Sequence, residues 1–367
     1  MEIMIAALRT RWTLFTPILA ALVLAATWGR DVPGLVVLVV DIALIGAVLA
    51  AVFHAEVVAH RVGEPFGSLV LAVAVTVIEV ALIVTMMISG GDKAASLARD
   101  TVFAAVMITC NGIFGLVLLV GALRRRVAVF NPEGTGAALA TVATLATLSL
   151  VLPTFTTSKP GPEFSPAQLV FAAVASLALY LLFVMVQTVR HRDDFLPVED
   201  AGAVDDTDPH HDTAPSTRTA LISLGLLVLA LICVVGLAKV VSPALERGVA
   251  AAGLPQSAVG VAIAMLVLLP ETLAAYNSAR RNQVQIGLNL ALGSAMASIG
   301  LTIPVIALAT IWLSGPLVLG LGATQMVLLA LTVVVGTLTI VPGRATLLQG
   351  GVHLALFAAF VFLAASP

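Results

Sequence analysis

The feature that most constrains this chain is a series of long apolar runs that contain almost no charge. Each run approaches or exceeds the length of about 20 residues that an α-helix needs to cross a bilayer. The composition agrees, since 60% of the 367 residues are hydrophobic and only 10% are charged, whereas soluble domains are roughly a quarter charged. Backbone polar groups in lipid must be satisfied internally, so the chain is predicted to be an all-α polytopic membrane protein.

We interpret eleven of these runs as transmembrane helices. The first one follows basic residues, as in a signal peptide, but a second spanning run follows almost at once, which favours a first transmembrane helix. The predicted organisation is therefore an N-terminal helix (1–30), a five-helix unit (31–190), a linker (191–218) and a second five-helix unit (219–367). The predicted spans are 13–28, 33–58, 66–89, 99–122, 135–153, 165–189, 219–243, 255–279, 284–313, 319–341 and 345–365.

The distribution of basic residues predicts the orientation in the membrane. With the N-terminus in the cytoplasm, twelve of the eighteen lysines and arginines fall in cytoplasmic segments and six on the other side. This agrees with the positive-inside rule, and it places the linker in the cytoplasm and the C-terminus outside. The Ala- and Val-rich composition, without glycosylation-like loops, favours a bacterial inner membrane. There is no basic patch of the kind that binds nucleic acid.

The linker and the two cysteines carry weaker signals. Residues 191–218 are acidic, rich in Pro and Asp, and include His210 and His211, which is typical of a solvated, flexible connection. A cation-sensing segment is the alternative, because clustered carboxylates and imidazoles attract metal ions. Cys110 and Cys233 lie inside apolar runs, so we expect reduced, buried thiols and no disulfide.

Two glutamates, Glu79 and Glu271, stand in the middle of apolar runs, one in each half of the chain. An acidic residue and then a glycine precede each of these runs. Each run is followed by another apolar run that has polar residues in its interior. The preceding residues are Glu56 and Gly63 in the first half and Glu246 and Gly253 in the second. Because five is an odd number of spans, two successive units of five have opposite orientations in the membrane. We therefore predict inverted-topology repeats, which place ion sites at the midplane where the repeats meet.

Two carboxylates that face each other in a membrane must be neutralised, because neither is solvated and their charges repel. Protons on both groups, or a cation between them, are the two ways to do this, and they exclude each other. A site that must hold one or the other is typical of an antiporter. The pair therefore predicts exchange of a cation for protons, with no resident cofactor.

Calcium suits such a site, because it takes six to eight oxygen ligands at about 2.3–2.6 Å. No cluster of Cys or His accompanies the glutamates at depth, which disfavours zinc and copper. His54 and Glu56, at the end of the second span, are candidates for a proton relay or gate. The predicted ligands are Glu79 and Glu271 with further oxygens from Thr76, Asn111, Asn289, Ser294 and Ser298.

These stretches resemble the cation/proton exchangers of the calcium/cation antiporter superfamily, especially the bacterial calcium/proton antiporters. The resemblance covers roughly residues 54–122 and 240–315. It is carried by AEVVAHRVGEPFGSLVLAVAVTVIEVALI in the first half and by GLPQSAVGVAIAMLVLLPETLAA and NLALGSAMASIGLTIP in the second. It implies calcium and protons as transported substrates and the two glutamates as their ligands.

The chain departs from the family pattern directly before each glutamate. The family usually has Gly-Asn four and three residues upstream, whereas this chain has Val75-Thr76 and Val267-Leu268. Thr76 still offers a hydroxyl on the same helix face as Glu79, and Pro270 lacks the N–H that would bond the carbonyl of Leu266. Exchange of sodium or potassium by the same carboxylates therefore stays open as the alternative.

Other classes of membrane protein fit less well. A cation channel with a ring of glutamates needs oligomeric symmetry around a pore, whereas the repeat already supplies two-fold symmetry within one chain. An intramembrane metalloprotease would carry a motif such as H-E-x-x-H, and an ATP-driven pump a Walker A sequence; neither occurs in the sequence. The expected partners are inorganic cations, protons and the bilayer, and a homo-oligomer is left open.

Overall fold

The computed structural model describes residues 2–30, 32–63, 66–90, 95–198, 215–255, 257–312 and 315–366. Almost all of this part of the chain is helical. A π-helical turn, Ile108–Ile113, joins α4 to α5, and two short strands, β1 (Ala128–Val129) and β2 (Arg344–Ala345), pair antiparallel. The helices are α1 (Glu2–Thr27), α2 (Gly34–Val62), α3 (Phe66–Gly90), α4 (Leu97–Met107), α5 (Phe114–Arg125), α6 (Pro132–Ala146), α7 (Pro166–Met185), α8 (Thr217–Ala251), α9 (Ser257–Val267), α10 (Leu269–Arg280), α11 (Val284–Ala309), α12 (Ala323–Ile340) and α13 (Leu347–Ala365).

The helices confirm a polytopic membrane protein. Within the described ranges, eight are long and apolar enough to cross a bilayer, or nine if α9 and α10 form one bent span. Large apolar side chains face outward, including Leu22, Leu38 and Leu338, as expected for surfaces that contact lipid. Each of the eleven predicted spans overlaps one helix or one pair of consecutive helices, and the count of eleven stays a prediction.

The connections between helices gather at two opposite ends. At one end β1 pairs with β2, and Arg61 donates to Thr217 at 2.9 Å; at the other end the backbone N–H of Val318 donates to Ala95 at 3.0 Å. Two connections that are separated by an even number of spans lie on the same side of the membrane. Each of these contacts joins such a pair of predicted connections. The first end, which we call the arginine-rich rim, carries Arg61, Arg124, Arg125, Arg126, Arg190, Arg192, Arg218, Arg280, Arg281 and Arg344. The opposite end is called the far rim.

Several of the helix contacts come in matched pairs. Helix α2 packs against α8. The contact of α3 with α11 matches that of α9 with α4, and the contact of α7 with α11 matches that of α13 with α5. In the predicted repeat α3 corresponds to α9 and α10, and α4 and α5 correspond to α11, so these contacts have counterparts in the other half. This is the pattern that a two-fold relation between the halves produces, and the inverted orientation stays a prediction.

Two apolar cores lie on either side of the glutamate helices. One is built mainly by α1, α2 and α8, and the other mainly by α4, α5, α6, α11 and the C-terminal helices. Helices α3 and α9 contribute to both; Ile78 belongs to the first core and Ile83 to the second. The two helices that carry the membrane glutamates are therefore held between the two packed bodies.

The beginning of the predicted linker is packed against the helices. Arg192–Phe195 form a short 3₁₀ turn, and the side chain of Phe195 is buried. This corrects the expectation of a solvated connection for these residues, since an apolar ring gains free energy by burial. Residues 199–214, with most of the acidic residues of the predicted linker and with His210 and His211, lie outside the described part of the chain. Cys110 and Cys233 are buried and free, as expected.

Candidate ion-exchange site

Glu79 lies in the middle of α3 and is only 2% exposed. Ser298 on α11 donates a hydrogen bond from its Oγ to the Glu79 Oε2 at 2.8 Å. The hydroxyl of Thr302 lies near the same carboxylate but outside hydrogen-bond geometry. Among the described residues neither Thr302 Oγ1 nor Glu79 Oε1 has a hydrogen-bond partner. The site therefore offers buried oxygens that can accept a proton or a cation.

Glu271 reaches the site from a broken helix. Helix α9 ends at Val267, α10 begins at Leu269, and the two axes differ by 51°. Pro270 occupies the first turn of α10, where its missing N–H costs no helical bond. Glu271 is thus in the first turn, near the partly positive helix N-terminus, and is 8% exposed. In the described structure α3 is continuous, so the two glutamate helices differ in backbone as well as in sequence.

Both glutamates line one cavity of about 380 Å³. They are close enough for their charges to repel. Four of the other predicted ligands, Thr76, Asn289, Ser294 and Ser298, also line it. The remaining lining residues are Val75, Tyr180, Phe183, Val184, Gln187, Ile286, Leu290, Gly293 and Ala297.

The cavity reaches the arginine-rich rim. Its lining includes Gln187, three residues before Arg190, and Ile286, two residues after the start of α11. Deeper along α11, Ser298 is 3% exposed and Thr302 is fully buried. Solvent at the arginine-rich rim therefore has the shorter route to the glutamates.

Helices α7 and α11, which both line the cavity, pack closely together at its inner end. A Cβ on Gly300 would lie 2.6 Å from the Cβ of Tyr180, so a larger residue at position 300 would force the two helices apart. Ser294, Ser298 and Thr302 follow one another at intervals of four residues and share one face of α11. On this face Ser298 and Thr302 lie beside Glu79 of α3.

Asn111 does not line this cavity, which corrects its predicted position. Its amide nitrogen donates to Thr332 at 2.9 Å, and its amide oxygen lies 3.1 Å from Nδ1 of His353. The other ring nitrogen of His353 lies 3.3 Å from the hydroxyl of Thr339. The π-helical turn that contains Asn111 packs against α12 and α13, so the amide is satisfied in a separate polar cluster.

His54 and Glu56 also lie away from the cavity lining. His54 is buried, and its Nε2 donates to the backbone carbonyl of Thr13 in α1 at 3.0 Å. Glu56 is exposed on α2, although it is close enough to Glu271 for the two charges to repel. Their roles as relay or gate stay predictions.

Three residues at the site were missed by the sequence analysis. Thr302 has a signal in the sequence, because it lies four residues after Ser298 on the same helix face. Tyr180 on α7 and Gln187, two residues after the end of α7, also line the cavity; both lie outside the two glutamate segments, and no motif marks them. Within the described ranges no group of three or more His, Cys, Asp or Glu residues is arranged to hold a metal ion. The donors are hard oxygens, which suit alkali and alkaline-earth cations.

Known proteins resemble this chain over nearly its whole length. It is 47% identical to ionic transporter y4hA of Sinorhizobium fredii (97% of this chain, 96% of the relative) and 35% identical to the sodium-potassium/proton antiporter ChaA of Escherichia coli (95% and 94%). It is also 23% identical to a Ca(2+)/H(+) antiporter of Aphanothece halophytica (82% of each chain).

Solved structures share the fold. Native YfkE superposes with a TM-score of 0.70 at 15% identity, covering 97% of this chain and 99% of its own. The H+/Ca2+ exchanger CAX gives 0.65 at 14% identity, covering 96% and 91%. The sequence profile of the family described as sodium/calcium exchanger protein matches twice, at residues 33–189 and 222–365, which are close to the two predicted five-helix units. The chain belongs to the sodium/calcium exchanger protein family and is an integral membrane ion transporter.

Proposed function

We propose that this protein is a secondary antiporter that exchanges a cation for protons, with Glu79 and Glu271 binding either one or the other. The observation that carries the proposal is that both buried carboxylates line one cavity, each with an oxygen that has no partner among the described residues. Burial makes an uncompensated pair of charges costly in a membrane. The occupied states are therefore the protonated pair and the cation-bound pair.

Calcium is the first candidate for the cation. Two carboxylates neutralise its charge and supply up to four oxygens, and the hydroxyls of Thr76, Ser294 and Ser298 line the same cavity. That set comes within the six to eight oxygens that calcium takes. Asn289 is less available, because its amide groups are already bonded to other protein groups.

Sodium or potassium is the second candidate, and a specific observation favours it. The relative at 35% identity is named a sodium-potassium/proton antiporter, whereas the relative named for calcium is only 23% identical. A monovalent cation needs only one ionised carboxylate for neutrality, so the second glutamate could keep its proton. The same cavity can then exchange a different number of protons for each cation.

We further propose that the arginine-rich rim faces the cytoplasm of a bacterial inner membrane, following the positive-inside rule. The cavity, which reaches that rim, would then be open to the inside. Alternating access requires a second state in which the glutamates communicate with the far rim. The matched helix contacts of the two halves support two such states of similar packing.

The test is exchange by purified protein in proteoliposomes under an imposed pH gradient, with no ATP. Calcium, sodium and potassium are each added alone while internal pH is followed. Cation-dependent proton movement is expected for at least one of them, and the response identifies the substrate. Cation flux that persists without a pH change, at channel-like rates, would contradict antiport.

A further inference from the structure

Residues 191–196, which we call the strap, pack against two residues of the cavity lining, Phe183 and Asn289. The ring of Phe195 meets that of Phe183 edge to face, with centroids 5.6 Å apart. Phe183 lines the cavity, and Phe195 is only 6% exposed. The strap therefore covers α7 at the arginine-rich end of the site.

The backbone of the strap also binds a residue of the cavity on α11. The Asn289 amide nitrogen donates to the carbonyl of Phe195 at 2.6 Å. The Asn289 amide oxygen accepts from Gln285 at 2.8 Å, and Gln285 in turn accepts from the backbone N–H of Asn131 at 2.7 Å. A chain of hydrogen bonds thus runs from the start of α6 through α11 to the strap.

The strap rests directly on α6 at a glycine. A Cβ on Gly134 would lie 2.8 Å from the carbonyl carbon of Asp194, closer still to its oxygen, and 3.2 Å from the ring of Phe195. Because the obstacle is backbone, alanine at this position would force the strap away. Two residues further along, a Cβ on Gly136 would meet only Ile340, at an ordinary 3.7 Å.

We propose that the docked strap is a positioning element of the exchange cycle, which ties α6, α7 and α11 together in the conformation whose cavity opens at the arginine-rich rim. Helices α7 and α11 form two walls of the cavity, so closing its mouth requires them to move relative to each other. The strap binds both walls and stabilises the open mouth. Release of the strap shifts the population towards the state that opens at the far rim. This inference rests on the proposed antiport, since only an alternating-access cycle needs both states.

A position at the far rim can serve as the second reporter of the conformational change. A separate cavity of about 270 Å³ lies there between α4, α9, α12 and α13, and Val261, 9% exposed, lines it. Opening of the far rim should expose position 261, whereas closing of the arginine-rich mouth should protect Gln187. Cysteine placed at either position reports its own rim.

The experiment uses purified full-length protein in detergent, with Cys110 and Cys233 replaced by Ala and either Gln187→Cys or Val261→Cys added. Each reporter is combined with Gly134→Ala or with the matched control Gly136→Ala, and the rate of reaction with a polar maleimide is measured. We expect Gly134→Ala to slow labelling at 187 and to speed it at 261, so that the ratio of the two rates changes by roughly threefold to tenfold, the change in population ratio that corresponds to one lost buried hydrogen bond. Gly136→Ala should leave both rates at the parent values.

Equal rates in the two glycine variants would overturn the proposal, because a merely structural contact would lower thermal stability without redistributing access. Faster labelling at position 187 would overturn it as well, since the strap would then be a barrier. If Gly134→Ala does not fold, Phe195→Leu tests the same docking, and parent-like rates in that variant count against the strap. Labelling needs no transport, so failure of the proposed antiport would be seen separately in proteoliposomes.

Discussion

Replacement of Glu79 by Gln separates the chemistry of the site from its fold. Glu79 is 2% exposed and has one hydrogen bond among the described residues, from Ser298. A charged side chain at the centre of a membrane helix costs at least about 2.5–3.5 kcal/mol. Gln has the same shape and can accept the Ser298 hydrogen bond, but it carries neither charge nor exchangeable acid. We therefore expect loss of coupled exchange in a protein that is no less stable than the parent.

The size of the effect depends on pH and on the cation. Without cation, Glu79→Gln should raise the free energy of unfolding by up to about 3 kcal/mol at alkaline pH, where the parent must hold an ionised carboxylate. At acid pH, where the parent carboxyl is protonated, the two proteins should agree. A bound cation stabilises the parent by about 2.7 kcal/mol at one hundred times its Kd, and the variant should lose most of this gain.

The assay combines thermal unfolding of purified protein, at two pH values with and without calcium, sodium or potassium, with proton movement in everted vesicles. Glu133→Gln is the control, since Glu133 is exposed on the arginine-rich rim. Normal exchange in Glu79→Gln would refute the reasoning. So would cation-induced stabilisation equal to that of the parent, because the carboxylate would then have only a structural role.

Four further outcomes are expected. Glu271→Gln should abolish coupled exchange like Glu79→Gln, and the double variant should be hardly worse in the vesicle assay, because both residues serve one site. Ser298→Ala removes the hydrogen bond to Glu79, so cation affinity measured at fixed pH should fall roughly tenfold and recover partly at higher pH; an unchanged affinity would exclude Ser298 from the site. Deletion of residues 199–214, which leaves the strap intact, should preserve the maximal rate of exchange in vesicles and change at most the cation concentration required, and loss of exchange in stable protein would contradict this. A reporter fused after Pro367 should be active only outside the cytoplasm, and cytoplasmic activity would refute the count of eleven spans.

The sequence alone was sufficient for the class of protein, the approximate positions of the helices and the two central glutamates. Apolar runs are visible without a structure because lipid imposes both their length and their lack of charge. A carboxylate inside such a run stands out for the same reason, since its solvation cost requires a function or a partner. The helix break at Pro270 was also predictable, because a missing N–H is a local property of the residue.

The partners of each polar residue were decided only by tertiary structure. Asn111 and Ser298 looked equivalent in sequence, yet one bonds to Thr332 and the other to Glu79. Helical periodicity shows which residues share a face, but the rotation of the helix in the packed bundle decides what that face meets. The strap was missed for a related reason: a short segment of charged residues reads as solvated, and Phe195 is buried only because Gly134, Phe183 and Asn289, distant in sequence, converge to receive it.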